Sequence, residues 1–170
     1  KQKTAYEIGV RLVGSEMCIS DRYVVGLLTI VIRRQAFENE VFPFVPKYNI
    51  IGDFDLLIRT ALNWKIISIQ EPVAHYRWHG DNESFKNFPL NTIELEAWYA
   101  EMRKHPIISC MDGYNKQALL IIYMKGLISI NNHNYFAAIK AFLRLPMSII
   151  KIKLLFSILL PNFILNYFRN

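Results

Sequence analysis

The chain has 170 residues, a net charge of +6, 52% hydrophobic residues and two cysteines, Cys18 and Cys110. That length suits one domain with a core of its own. The apolar content excludes a disordered segment, and the scattered charges exclude a polytopic membrane protein. Two cysteines allow at most one disulfide, which excludes a secreted disulfide scaffold.

Residues 1–22, KQKTAYEIGVRLVGSEMCISDR, contain no long apolar stretch and no small-residue cleavage site, so they do not read as a secretory signal. They resemble the conceptual translation of short-read sequencing-adapter DNA: residues 1–7 match one primer part, residues 12–19 match a second in the right order and frame, and Ser20 is the single departure. On that resemblance residues 1–22 belong to no domain, and the chain is expected to lack its own N-terminus. Residues 23–170 then hold 16 Lys and Arg against 11 Asp and Glu, a net of +5, with Cys110 as the one thiol.

Charge divides what remains. Residues 23–102 carry a net of −3, while residues 103–170 carry a net of +8 with Asp112 as their one acidic residue. The basic excess thus sits in an apolar tail rather than on an aromatic-interleaved basic patch, and nucleic acid is not an expected partner.

Residues 23–32 (YVVGLLTIVI) form a continuous β-branched apolar run, which predicts a buried strand ending at Arg33-Arg34. Residues 35–40 suit a short helix, and residues 42–46 (FPFVP) an aromatic, proline-punctuated loop. Phe54, Leu57, Ile58 and Ala61 recur at helical spacing behind Asp53, which is placed to cap the helix they predict over residues 53–64. Residues 65–70 and 73–79 read as two strands separated by Glu71-Pro72, followed by a polar loop over 80–87. Helical patterns then cover about 91–104, 114–130 and 134–145, with an apolar segment from 147 to the end. The pair 118–130 and 135–143 has the look of one tetratricopeptide unit, though one unit is not an array. The expected fold class is α+β: strands and a helix over residues 23–90, then a helical region over 91–170.

Two groups of residues carry candidate chemistry. Asp53 and Asp55 open the first helix, but residues i and i+2 do not share a helix face. Asp53 either aims out of the helix end toward a cleft or merely caps the helix. In residues 74–79 (AHYRWH) a period of two puts His75, Arg77 and His79 on one face. Three nitrogen donors on one side suit a phosphate, with Arg as a planar fork and His as donor or metal ligand. A polar face wetted by solvent is the plain alternative. The spacing of His75 and His79 also occurs in zinc helices, but the segment alternates like a strand between Pro72 and Gly80.

These residues fall into a pattern. Arg33-Arg34, then Gly52-Asp53-Phe54-Asp55-Leu56 with Arg59, then Ile66-Ile67-Ser68-Ile69, Glu71-Pro72, and Tyr76-Arg77-Trp78-His79-Gly80-Asp81-Asn82-Glu83-Ser84 follow in order. Over about residues 29–84 this resembles the acceptor-side half of inverting family 2 glycosyltransferases of the GT-A fold. The resemblance implies a partial GT-A domain over residues 23–90. It also implies transfer of a sugar from a nucleotide-sugar donor to an acceptor hydroxyl, in cell-envelope polysaccharide or glycolipid synthesis. Asp53 takes the role of general base, although Gly52 stands where the family usually has Glu. By the same resemblance Arg77 and His79 would face the donor diphosphate and a divalent cation, Mg or Mn, with His79 as a metal ligand. Arg59 and Asp55 would belong to the same substrate site, Arg59 bracing it from the helix. Most of the cation's ligands, in an Asp-x-Asp, and the donor-binding strands would precede residue 23, so the chain as given is expected to be inactive.

The tail over residues 148–168 is the most apolar segment, with Lys151 and Lys153 in its first part and Pro161 interrupting it. Its uninterrupted run is far short of the ~20 residues that span a bilayer. It either packs back onto the preceding helices or lies in a membrane interface, its cations on acidic headgroups. The acceptor is expected to be a glycan or a lipid-linked molecule, and the location cytoplasmic, the second reading of the tail putting it at the inner face of the plasma membrane. A non-enzymatic helical interaction module is the competing class, and a phosphate- or metal-dependent hydrolase using Asp53, His75 and His79 ranks below it.

Overall fold

The computed structural model describes residues 3–4, 27–37, 43–67, 71–77 and 86–160. Its principal elements are α1 (Gly52–Asn63), α2 (Phe88–Met102), α3 (Asp112–Asn131), α4 (Tyr135–Arg144) and α5 (Ile149–Leu159). Short 3-10 turns lie at Leu27–Thr29, Arg34–Phe37 and Ile108–Cys110. The expected α+β arrangement is overturned. Among the described residues the one strand pairing is a two-residue antiparallel ladder, in which β1 (Lys3–Thr4) meets β2 (His75–Tyr76) with Lys3 opposite Tyr76 and Thr4 opposite His75. A ladder of that length makes no GT-A sheet, and the described residues form a helical assembly.

The reason lies in what a strand needs. Backbone N–H and C=O groups of a buried strand must be paired by neighbours. In the expected first strand, residues 27–29 instead turn into a 3-10 helix. Leu27, Leu28 and Val31 stand out from the core, Val31 being 98% exposed. In the expected second strand, residues 65–67 are irregular and residues 68–70 lie outside the described residues. In the third, regular pairing is confined to His75–Tyr76. The short helix expected over 35–40 is represented by the 3-10 turn Arg34–Phe37.

The helices pack around two cores. The first gathers Phe54, Leu57, Ile58 and Ala61 of α1 with Leu95 and Trp98 of α2 and Ile121 and Met124 of α3. These four α1 residues are the ones whose spacing predicts the helix. Phe54 meets the Trp98 ring edge-on at 4.8 Å between centroids, a favoured aromatic geometry. The second core joins Ile130 of α3, Ala138 and Ala141 of α4, Leu145 just past the end of α4, and Leu154 of α5. Helix α3 is therefore a shared wall, which explains why its apolar residues do not keep to one stripe.

Tight junctions hold the second core. Asn132, His133 and Asn134 turn the chain from α3 into α4, with His133 at φ 57°. Asn134 caps α4 by accepting the Ala137 N–H at 3.1 Å. Gly126 lets α5 and α4 approach α3: a Cβ there would sit 2.9 Å from both Leu154 methyls and 3.3 Å from the Ala141 Cβ. Lys151, near the start of α5, donates to the Leu145 carbonyl at 2.7 Å and lies 4.8 Å over the Phe142 ring. The described part of the tail, α5, thus packs back onto α3 and α4 through Leu154 and Ser157, but much of its apolar surface stays outside.

Candidate functional site

Three backbone N–H groups lead into α1, those of Asn49, Ile50 and Ile51. All three donate to one carboxylate, Glu94 of α2, at 2.9, 2.8 and 3.1 Å. Glu94 is 5% exposed, and bonds of this charge-assisted kind compensate a buried charge. They fix where α1 begins relative to α2.

Helix α1 starts at Gly52 with Ile51 at its cap and no side-chain cap bond, so the capping role expected of Asp53 is not the one observed. Asp53 stands in the first turn, half-buried, and its Oδ1 accepts the N–H of Phe54 at 2.8 Å. A carboxylate there is also favoured by the helix dipole. Gly52 is buried, yet a Cβ on it would meet only Phe44 at an ordinary 3.6 Å.

Asp55 is placed quite differently. It is 2% exposed, its Oδ2 accepts Arg59 Nε at 2.9 Å and its Oδ1 accepts the Trp98 indole N–H at 3.0 Å. Arg59 reaches on to the Pro43 carbonyl through Nη2 at 2.6 Å. Both Asp55 oxygens are thus committed within the protein, tying α1 to α2 and, through Arg59, to the loop that precedes α1. The partner of Arg59 here is Asp55 together with the Pro43 carbonyl. Asp55 therefore has the surroundings of a structural carboxylate and not those of a substrate ligand. Side chains of Arg59, Ala36, Phe37, Leu56, Thr60, Asn63 and Trp64 line a cavity of about 30 Å³ beside it, room for a water rather than for a nucleotide sugar.

His75 and Arg77 are exposed, and His79 lies outside the described residues. The structure brings Asp55 and Arg59 together, keeps Asp53 one step away on the same helix, and shows no contact joining His75 to these three. Among the described residues no group of three His, Cys, Asp or Glu side chains is placed to hold a metal ion. Both Asp55 oxygens are committed to Arg59 and Trp98, and His79, the expected metal ligand, lies outside the described residues.

A further polar group lies at the entry to α1. Lys47 and the Tyr48 hydroxyl both bond to Glu101 Oε2 of α2, the tyrosine at 2.9 Å. The bond from Lys47, then that from Tyr48, lowers the Glu101 carboxyl below its usual range, and the Glu101 bond raises Lys47. Burial, then the Glu101 bond, pushes the Tyr48 hydroxyl up to about 12.

Glu94, Trp98 and Glu101 were not legible as partners of this region. One signal existed: Glu94 lies one helical turn before Trp98, on the face that Leu95 and Trp98 share, and a carboxylate there demands donors. No protein-family model matches the chain, and neither a curated protein nor a solved structure was found that matches it.

Proposed function

We propose that the chain carries the acceptor-side residues of an inverting glycosyltransferase, with Asp53 as the general base. The proposal concerns the reaction and not the GT-A sheet. In it Asp53 takes the proton of an acceptor hydroxyl while that oxygen attacks the anomeric carbon of a nucleotide-activated sugar. The bond to the diphosphate breaks with its electron pair, the anomeric configuration inverts, and Arg77 and His79 supply positive charge to the leaving diphosphate. A divalent cation, Mg or Mn, belongs to the reading as a partner of the leaving diphosphate. The acceptor is a glycan or lipid-linked molecule, and the location is the cytoplasmic face of the plasma membrane.

One observation carries the reading: the two carboxylates of Asp53-Phe54-Asp55 are divided in role. Asp55 is locked by Arg59 and Trp98, whereas Asp53 stays half-buried in the first turn of a helix whose start is fixed by three bonds to Glu94. That is how a base is held on a rigid element yet left able to meet a hydroxyl. No described helix is long and apolar enough to cross a membrane, which accords with a peripheral location.

The test uses the genomic reading frame that contains residues 23–170, assayed for nucleoside diphosphate release from a panel of nucleotide sugars with Mn²⁺. Asp53→Asn should lower turnover by roughly 10²–10⁴ at an unchanged melting temperature, while Asp55→Asn should lower the melting temperature. Near-normal turnover of Asp53→Asn would remove it as the base. Failure to turn over any donor, with no Asp-x-Asp encoded upstream of Tyr23, would remove the glycosyltransferase reading altogether.

A further inference from the structure

Helices α4 and α5 both turn their small or inward residues to α3 and leave apolar side chains in water. On α4, Ala138 and Ala141 are buried while Phe136 is 82% exposed and Leu143 69%. Met147, in the link between them, is 84% exposed. On α5, Leu154 and Ser157 are buried while Ile149, Ile152 and Phe156 are exposed. Because both helices close on α3 at Gly126, these outer residues lie on the side of the assembly away from α3. Single exposed apolar residues are ordinary, but a set following two adjacent helices marks an interaction surface.

The charges along this surface have one sign. Lys140, Arg144 and Lys153 are exposed beside the apolar rows at i+1 or i+4 spacing. No Asp or Glu follows Asp112 anywhere in the sequence. Lys151 is not one of the set, since it is turned in to the Leu145 carbonyl.

We propose that the outer face of α4 and α5 docks on an anionic lipid surface, the apolar rows entering the headgroup boundary and the three cations meeting phosphate groups. A second copy of the chain is the poorer occupant: it would bring Lys140, Arg144 and Lys153 against their own kind with no carboxylate between them. A bilayer rich in anionic headgroups answers both features at once, apolar area and unrelieved positive charge. The face gives a physical form to the membrane location proposed above, and vesicle binding is read without any transfer assay, so either reading can fail alone.

The full chain is mixed with vesicles of phosphatidylcholine alone, or of phosphatidylcholine with phosphatidylglycerol, and floated on a density gradient. It should float with the anionic vesicles, less so at high salt, and poorly with phosphatidylcholine alone. Combining Lys140→Gln, Arg144→Gln and Lys153→Gln should weaken binding roughly a hundredfold. Combining Phe136→Ser, Leu143→Ser and Phe156→Ser should abolish the part that survives salt. These are surface positions, and unchanged helical circular dichroism with an unchanged melting temperature confirms that the variants are folded. Absence of flotation with either vesicle overturns the proposal, as does binding that neither variant set weakens. A salt-resistant dimer broken by Leu143→Ser, without vesicle binding, overturns it in favour of a second copy.

Discussion

The two cores of this protein are held by different means. The first closes around aromatic rings and buried carboxylates, with Trp98 clasping Asp55 and Glu94 receiving three backbone N–H groups. The second has no carboxylate in it and closes by proximity: Gly126, Ala138 and Ala141 admit Leu154 at a distance no larger residue would permit. A polar clasp specifies direction and register, because an unpaired buried carboxylate is costly. Close packing specifies distance, because a single added methyl group is felt. The half with the candidate catalytic carboxylate is the half whose geometry is set by directed bonds.

The largest effect should come from breaking the clasp at Trp98, which is 1% exposed. Trp98→Ala should cost about 3–5 kcal/mol of unfolding free energy in urea denaturation. Trp98→Phe, which keeps a ring against Phe54 but leaves Asp55 Oδ1 without its donor, should cost about 1–3 kcal/mol. No measurable cost for Trp98→Phe would mean that the ring alone matters and that the polar clasp contributes nothing. Next is Glu94→Gln, where one amide oxygen replaces a carboxylate that serves three donors. About 1–3 kcal/mol should be lost, and hydrogen exchange should quicken at Asn49, Ile50 and Ile51 before it does in α4 or α5.

The second core is probed by Gly126→Ala. Overpacking against Leu154 and Ala141 should outweigh the gain in helix propensity, for a net loss of about 1–2 kcal/mol. Leu154→Ala opens a cavity by itself, and the double variant should cost less than the sum of the two singles. Strict additivity would show that Leu154 gives way freely, and the contrast between the cores would weaken.

The smallest effect is in pH. Glu101 has its carboxyl lowered by Lys47 and Tyr48, so its contribution is present above its unfolded value of about 4.5 and is lost as the pH falls through the lower folded value. Tyr48 is raised to about 12; its contribution is full below pH 10 and is lost as the pH climbs through 12. Melting temperatures across pH should show Tyr48→Phe without that alkaline loss and Glu101→Gln with a shallower acid one. Since the second core has no acidic residue, acid should loosen α1 and α2 before α4 and α5. Simultaneous loss of both would deny that separation.

Helices were legible where apolar residues recur at 3.6-residue spacing, as in α1 and α4, and their observed ends lie close to those expected. Strands were overread. A continuous run such as residues 23–32 has no period, and β-branched composition cannot say whether a neighbour exists to pair it. The fold class failed on that point, since Leu27–Thr29 turns and Val31 lies in water. Asp53 and Asp55 look alike in sequence, yet the indole that separates their roles lies 43 residues further on, beyond any local pattern. The Arg59–Asp55 pair, by contrast, lies one helical turn apart, a spacing that local sequence does display.

The Glu94 contact also orders events in time. It joins residues 43 to 45 positions apart in the chain, whereas α3, α4 and α5 are consecutive and linked by short turns. Contacts between near neighbours close quickly, and those that need a long loop wait for it. On refolding, the helical hairpins of the basic half are expected to form first and to offer α3 as a ready surface. The start of α1, and with it the position of Asp53, is then expected to be fixed last, as late protection of the Asn49, Ile50 and Ile51 amides in pulse-labelled hydrogen exchange would show.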